Sequence, residues 1–357
     1  LNGINHDVHS LYCRFAAFQI QYDGFILLFG DAMASLIRIL TTLLIAVGFT
    51  APTMAQSDLG NWPTQRPIKM IAVFPPGGSV DQVARILAPV LQAELKQNIV
   101  VENIGGASGV IGTTAVARAP ADGYTFGLVF DTHGVNPSLK DNLPYDTLRD
   151  LVTVNLIGTS PMVLAASKKS GITSMKQLMA ESRAKKPFTY GSIGIGSLGH
   201  LAIADFAKKT GVDWVHAPYR GGGPMVQDGL AGQIPLVVGS MFLIKPHADN
   251  GGLIPLAVTT AKRTADMPNV PTLAESGYPG FEAPAWWAVI APAKTPPAIV
   301  NAMYKAVDKA LKTPAVAEKL KTQGIQILSL NPDAANAFVA KQIGVWGKFV
   351  IQNNIKE

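Results

Sequence analysis

A chain of 357 residues, 48% hydrophobic and 15% charged, has room for two globular domains and too much apolar content for a disordered one. Its formal charge of +6 is spread thinly, without the basic stripe and interleaved aromatics of a nucleic-acid reader. A single cysteine, Cys13, rules out a disulfide framework and thiolate zinc sites.

The first 55 residues read as targeting sequence. Met33 opens a signal-peptide pattern: Arg38 supplies the charge, 39–49 the apolar core, and Thr53-Met54-Ala55 a cleavage site before Gln56. That core is too short to span a bilayer. Residues 1–32 read as an upstream extension of the reading frame, and 33–55 as the signal peptide. The first 55 residues hold Arg14, Arg38, Asp7, Asp23 and Asp31, so of 30 basic and 24 acidic groups the remainder keeps 28 and 21. Export to a periplasm follows.

From residue 56 onward, strand and helix patterns alternate. Strands are expected at 69–74, 99–102, 125–129, 154–157, 162–166, 188–191, 213–217, 236–238, 254–259 and 288–291. Helices are expected at 80–97, 109–118, 175–185, 198–210, 224–231, 298–311, 314–323 and 332–352. The alternation predicts an α/β protein with mainly parallel sheets flanked by helices. The stretch 163–285 carries its own strand–helix set, while the chain after 286 has too few strands to stand alone. The expected plan is a first domain from 56–162 and 286–357, with a second, 163–285, inserted between its halves. A cleft between two such domains is the expected ligand site.

Five turns are candidates to line it. Phe74-Pro75-Pro76-Gly77-Gly78-Ser79 joins the first strand to the first helix. Its glycines permit close backbone approach, Ser79 and Gln82 have capping-box spacing, and a helix N-terminus suits an anion. Asn103-Ile104-Gly105-Gly106-Ala107-Ser108-Gly109 precedes another helix and is either a structural turn or part of the lining. Asp131, Thr132 and His133 follow the third strand, where Asp131 would repel a carboxylate and attract an amino group. A polar loop capping its own backbone is the competing reading. Ser192, Gly194, Gly196, Ser197 and Gly199 form a second strand-to-helix corner. It also satisfies G-x-G-x-x-G, which leaves a dinucleotide-dependent oxidoreductase as an alternative. That fingerprint needs an acid ending the next strand, and here the strand ends in Pro218-Tyr219-Arg220. Gly221, Gly222 and Gly223 enter a further helix, where Arg220 is either a carboxylate partner or a surface charge. Trp286 or Trp287 would wall the cleft at the second crossing, the other filling core.

Enzyme and cofactor signatures are absent: no G-x-S-x-G elbow, no Walker A, no His-Glu-x-x-His. His133, His200, His216 and His247 show no metal spacing, and no cofactor or metal is expected.

The ordered landmarks are specific. They run Phe74-Pro75-Pro76-Gly77-Gly78-Ser79-Val80-Asp81, Val101-Glu102-Asn103, Asp122-Gly123-Tyr124-Thr125, Asn136-Pro137-Ser138-Leu139, Tyr190-Gly191-Ser192, His216-Ala217-Pro218-Tyr219-Arg220-Gly221, Val270-Pro271-Thr272 and Ala291-Pro292. With them the chain resembles the Bug family of periplasmic solute-binding proteins, receptors of tripartite tricarboxylate transporters. The resemblance implies a two-domain flytrap fold that closes on a small carboxylate and delivers it to membrane permease subunits, usually as a monomer. It implies that Gly77, Gly78, Ser79, Ser192, Gly196 and Ser197 hold one carboxylate, largely through backbone groups and bridging waters. A receptor feeding a signalling partner is the remaining alternative. The sequence departs from the family at Ala231-Gly232-Gln233-Ile234-Pro235 and at 251–259, both in the second domain.

Overall fold

Strand and helix alternate as the apolar periodicity requires. The computed structural model describes residues 59–184, 187–353 and 355; the expected extension, signal peptide and Cys13 lie outside them. In chain order the elements are β1 (Ile68–Ala72), α1 (Ser79–Leu95), β2 (Ile99–Asn103), α2 (Val110–Ala117), β3 (Thr125–Phe130), α3 (Thr132–Leu139), β4 (Leu151–Ser160) and β5 (Met162–Ser167). Next come α4 (Met175–Arg183), β6 (Phe188–Ser192), α5 (Leu198–Thr210), β7 (Trp214–Pro218), α6 (Gly222–Ala231), β8 (Leu236–Ser240), α7 (Met241–Asp249) and β9 (Leu253–Val258). The chain ends with β10 (Ala285–Pro292), α8 (Pro297–Lys312), α9 (Pro314–Thr322), β11 (Gln326–Leu330) and α10 (Pro332–Gln352).

Two sheets result, ordered β11-β4-β10-β3-β1-β2 and β7-β6-β8-β5-β9. The first takes strands from both ends of the described chain, the second only those between Met162 and Val258. The parallel pairing expected from the alternation holds for β2-β1-β3 and β7-β6-β8. The remaining pairs are antiparallel, so both sheets are mixed. The cause is topological: β4 leads out of the first lobe and β10 leads back, so the two must oppose each other.

Burial explains why these segments hold. Every residue of β5 and β10 is buried, as befits strands covered on both faces. Helix α8 buries Ile299, Val300, Met303, Ala306, Val307, Ala310 and Leu311, a stripe at helical spacing, and starts on Pro297. Three elements were not expected. Helix α3 contains Gly134 and Pro137, and α7 contains Pro246, so both read as loops by propensity. Helix α3 buries most of its residues and packs beneath α10, and α7 buries its first turn, Met241 to Ile244. β11 is a half-exposed edge strand whose pairing with β4 is interrupted by a bulge.

The two crossings lie side by side. Ala285 pairs with Ser160 in one sheet and Val163 with Val258 in the other. Thr259 clasps both. Its Oγ1 accepts the Met162 N–H at 3.0 Å and donates to the Ala283 carbonyl at 2.8 Å. Its own N–H and carbonyl bond Met162 O and Ala283 N.

Candidate functional site

The first glycine turn leaves β1 with positive φ at Gly77 (79°), a conformation in which a side chain is strained. The expected Ser79 capping box does not form. Gly78 is the N-cap of α1, and Ser79 is its first, buried residue. Asp81 folds back instead: its Oδ2 accepts the Gly77 N–H at 2.9 Å, and its Oδ1 accepts from Arg85 Nε at 2.8 Å. An acid in the first turn can satisfy such orphan donors better than a serine placed one residue too late. The Gly77 N–H is thereby engaged, and the free N–H groups of this corner begin at Gly78.

The turn that meets this corner is Gly221-Gly222-Gly223, at the start of α6. A methyl group on Gly78 would stand 3.6 Å from the Gly222 nitrogen, and one on Gly223 only 2.6 Å from the Pro76 carbonyl oxygen. Two helix N-termini from opposite lobes therefore face each other with no side chain between them. Their partial positive charges add, which favours an anion beside this backbone contact.

The second corner, at the start of α5, meets different partners. Ser108 Oγ donates to the Ile195 carbonyl at 2.8 Å, tying the lobes together. A side chain on Gly196 would collide with Leu139 of α3. Ser192 and Ser197 both donate to the Gly194 carbonyl, at 3.0 and 2.9 Å, and Ser197 caps α5 through the His200 N–H. Behind them His200 and His216 stack at 3.9 Å. His200 Nδ1 accepts the Gly196 N–H at 3.1 Å, and His216 Nε2 lies 2.7 Å from Ser192 Oγ. Burial pushes His200 down to about 4; burial, with the neighbouring His200, pushes His216 down to about 3. Both are neutral at pH 7, as acceptance of the Gly196 N–H requires of His200.

An aromatic wall lines the lobe junction. Phe74 meets Phe130 edge-on at 6.4 Å, Phe130 meets Trp287 at 4.9 Å, and Trp287 reaches Phe242 of the second lobe at 5.9 Å. Trp286, its neighbour on β10, points the other way, toward Phe338 and His133. His133 is buried between Trp286 and Tyr145, and burial holds it down at about 4. Asp131, between Phe130 and the start of α3, is fully buried. Neither of its oxygens has a well-formed hydrogen bond, and burial pushes it up to about 8. Two backbone groups oppose that shift, Thr132 on its own helix and Leu198 at the start of α5.

Of the residues singled out by sequence, Phe74, Gly78, Ser79, Asp131, Thr132, His133, Ser192, Gly196, Ser197, Gly221, Gly222 and Trp286 are buried, and Gly77 is exposed. The structure joins Phe74, Gly77 and Gly78 to Gly221 and Gly222, and Asp131 and α3 to Gly196, Ser197 and α5. His133 and Trp286 sit together inside the first lobe. Sequence reasoning passed over Phe130 and Phe242 and left open which of Trp286 and Trp287 faces the second lobe. Strand alternation puts adjacent tryptophans on opposite faces, but which face meets the second lobe depends on the fold. A surface hollow of about 620 Å³ lies away from the glycine turns, at the crossings, lined by Ser160, Lys262, Arg263, Glu282 and Lys321 among others.

Two α/β domains joined by paired crossings, with glycine-opened helix N-termini facing across their junction, define a solute-binding receptor and not an enzyme. The tripartite tricarboxylate transporter receptor model, TctC, matches residues 83–355, and the chain belongs to that family. It is 37% identical to protein BugT of Bordetella pertussis over 327 residues, covering 91% of this chain and 99% of BugT. The periplasmic binding protein BugD superposes with a TM-score of 0.78 at 32% identity, covering 82% of this chain and 99% of BugD. The R. palustris protein Rpa4515, solved with adipate, gives 0.78 at 34% identity, with 83% and 99% covered. MatC of Rhodopseudomonas palustris, solved with malate, gives 0.74 at 27%, with 80% and 99% covered. Receptors of this family are periplasmic, and among the described residues no helix is long and apolar enough to cross a membrane.

Proposed function

We propose that this protein captures a small carboxylate between domains 56–162 with 286–357 and 163–285, and hands it to the permease subunits of a tripartite transporter. Residues 33–55 would export it, and it would act as a monomer. The observation that carries this reading is the meeting of Gly78 with Gly222 and Gly223 at two opposed helix N-termini. An anion there is held by backbone N–H groups and helix dipoles, with no need of a fixed cation. Gly77 shapes the turn, and Phe74 closes one side. Ser192, Gly196, Ser197, Thr132 and Gly221 complete the lining. The adipate and malate bound by two relatives support the ligand class.

The test is calorimetry and thermal shift with mono-, di- and tricarboxylates. A ligand at a hundredfold excess over its Kd should add about 2.7 kcal/mol of stability. A folded protein stabilised by none of the panel would sink the reading.

A further inference from the structure

We propose that Asp131 reads a cationic nitrogen on the ligand, so that this receptor prefers amino-carboxylates to plain dicarboxylates; this rests on the carboxylate-receptor reading above. A buried carboxyl with no cation beside it and no well-formed hydrogen bond, only the nearby N–H groups of Leu198 and Thr132, is costly, and such a group persists where a ligand completes it. Asp131 is fully buried, at the lobe junction, facing the start of α5. No Lys or Arg influences its titration among the described residues. The titratable groups on the elements around it are His133 of its own helix, Tyr145 stacked on His133, and His200 with His216 across the junction. Burial holds the three histidines uncharged near neutrality and pushes Tyr145, already neutral there, up to about 12. Lys140 stands beyond the far end of α3, and Asp81 is committed to Arg85 and Gly77.

The anion corner and Asp131 follow neighbouring strands at the same edge of the sheet. β1 and β3 are adjacent parallel strands with Ala72 opposite Leu128, so their loops emerge side by side. A carboxylate at the helix N-termini would thus leave a nearby ammonium within reach of Asp131. The ammonium favours the ionised carboxylate, so binding must release Asp131's proton to solvent. A second ligand carboxylate at the same place would instead require Asp131 to keep it.

The experiment is calorimetry on ligand pairs differing by one amino group: aspartate with succinate, glutamate with glutarate, 2-aminoadipate with adipate. We expect the amino member of at least one pair to bind about tenfold more tightly at pH 7.5. Its enthalpy should vary with buffer ionisation, reporting release of a fraction of one proton. Its affinity should weaken by up to about tenfold per unit as pH falls below 8, while dicarboxylate affinity strengthens. Asp131→Asn should abolish the proton release and reduce the amino preference to about twofold. The wild-type buffer series reads the proton even if that variant fails to fold. Dicarboxylates binding equally or better, with no proton released by amino ligands, would overturn the proposal and leave the receptor reading standing. If neither set bound the folded protein, both would fall.

Discussion

At the scale of single residues, closure depends on atoms that are missing. Gly223 sits in the first turn of α6 without a positive φ, so alanine there costs the free lobe little. Its methyl group would press on the Pro76 carbonyl at 2.6 Å only when the lobes meet. Gly223→Ala should therefore weaken carboxylate binding at least about tenfold while moving the ligand-free melting temperature by no more than a few degrees. Calorimetry and melting read the two effects apart. The contrast between Trp286 and Trp287 shows what sequence leaves undecided at this scale. Alternation separates their faces, but Trp287 faces the second lobe only because Phe242 approaches from that side.

Elements show where local signals suffice. Ser174 and Ser197 cap α4 and α5, because a serine immediately before a helix has one nearby set of free donors. Ser197→Ala should cost about 1 kcal/mol in denaturant unfolding and loosen the Gly194 turn, since it also removes a donor to Gly194 O. Helices α3 and α7 were illegible because proline weakens the local pattern while burial supplies the compensating energy. At the crossings, Thr259→Val would leave Met162 N and Ala283 O without their side-chain partner inside the protein. We expect a loss of about 1–3 kcal/mol in unfolding, with scattering reporting a wider range of lobe openings in the empty protein.

Across the whole molecule, buried titratable groups set how stability responds to pH. Burial holds His133, His200 and His216 at about 4, 4 and 3, below their ordinary 6.5. Their unfolded forms bind protons first, so the stability they support is complete above about pH 6.5 and is lost as pH falls toward 4. Asp131 acts in the opposite sense. Raised from 3.8 to about 8, it keeps its proton in the fold while the unfolded chain sheds it. Its contribution is complete below about pH 4 and declines as pH rises to 8. The empty protein should melt highest at about pH 7, and Asp131→Asn should flatten only the alkaline decline. A calorimetric melting series from about pH 4 to 9 checks both limbs.

Sequence alone determined the alternating α/β plan, the strand-to-helix glycine turns and the ordered landmarks of the family. These are local properties: period, capping and backbone freedom act within a few residues. Tertiary structure decided which turns meet. Gly78 faces Gly222 and Gly223, whereas the Ser192 to Ser197 corner faces Ser108, Leu139 and Asp131. It also decided that Asp131, an ordinary loop acid by sequence, is buried without a cation or a well-formed hydrogen bond. Pairing between lobes and the desolvation of a carboxyl depend on atoms far apart in the chain, and no local pattern encodes them.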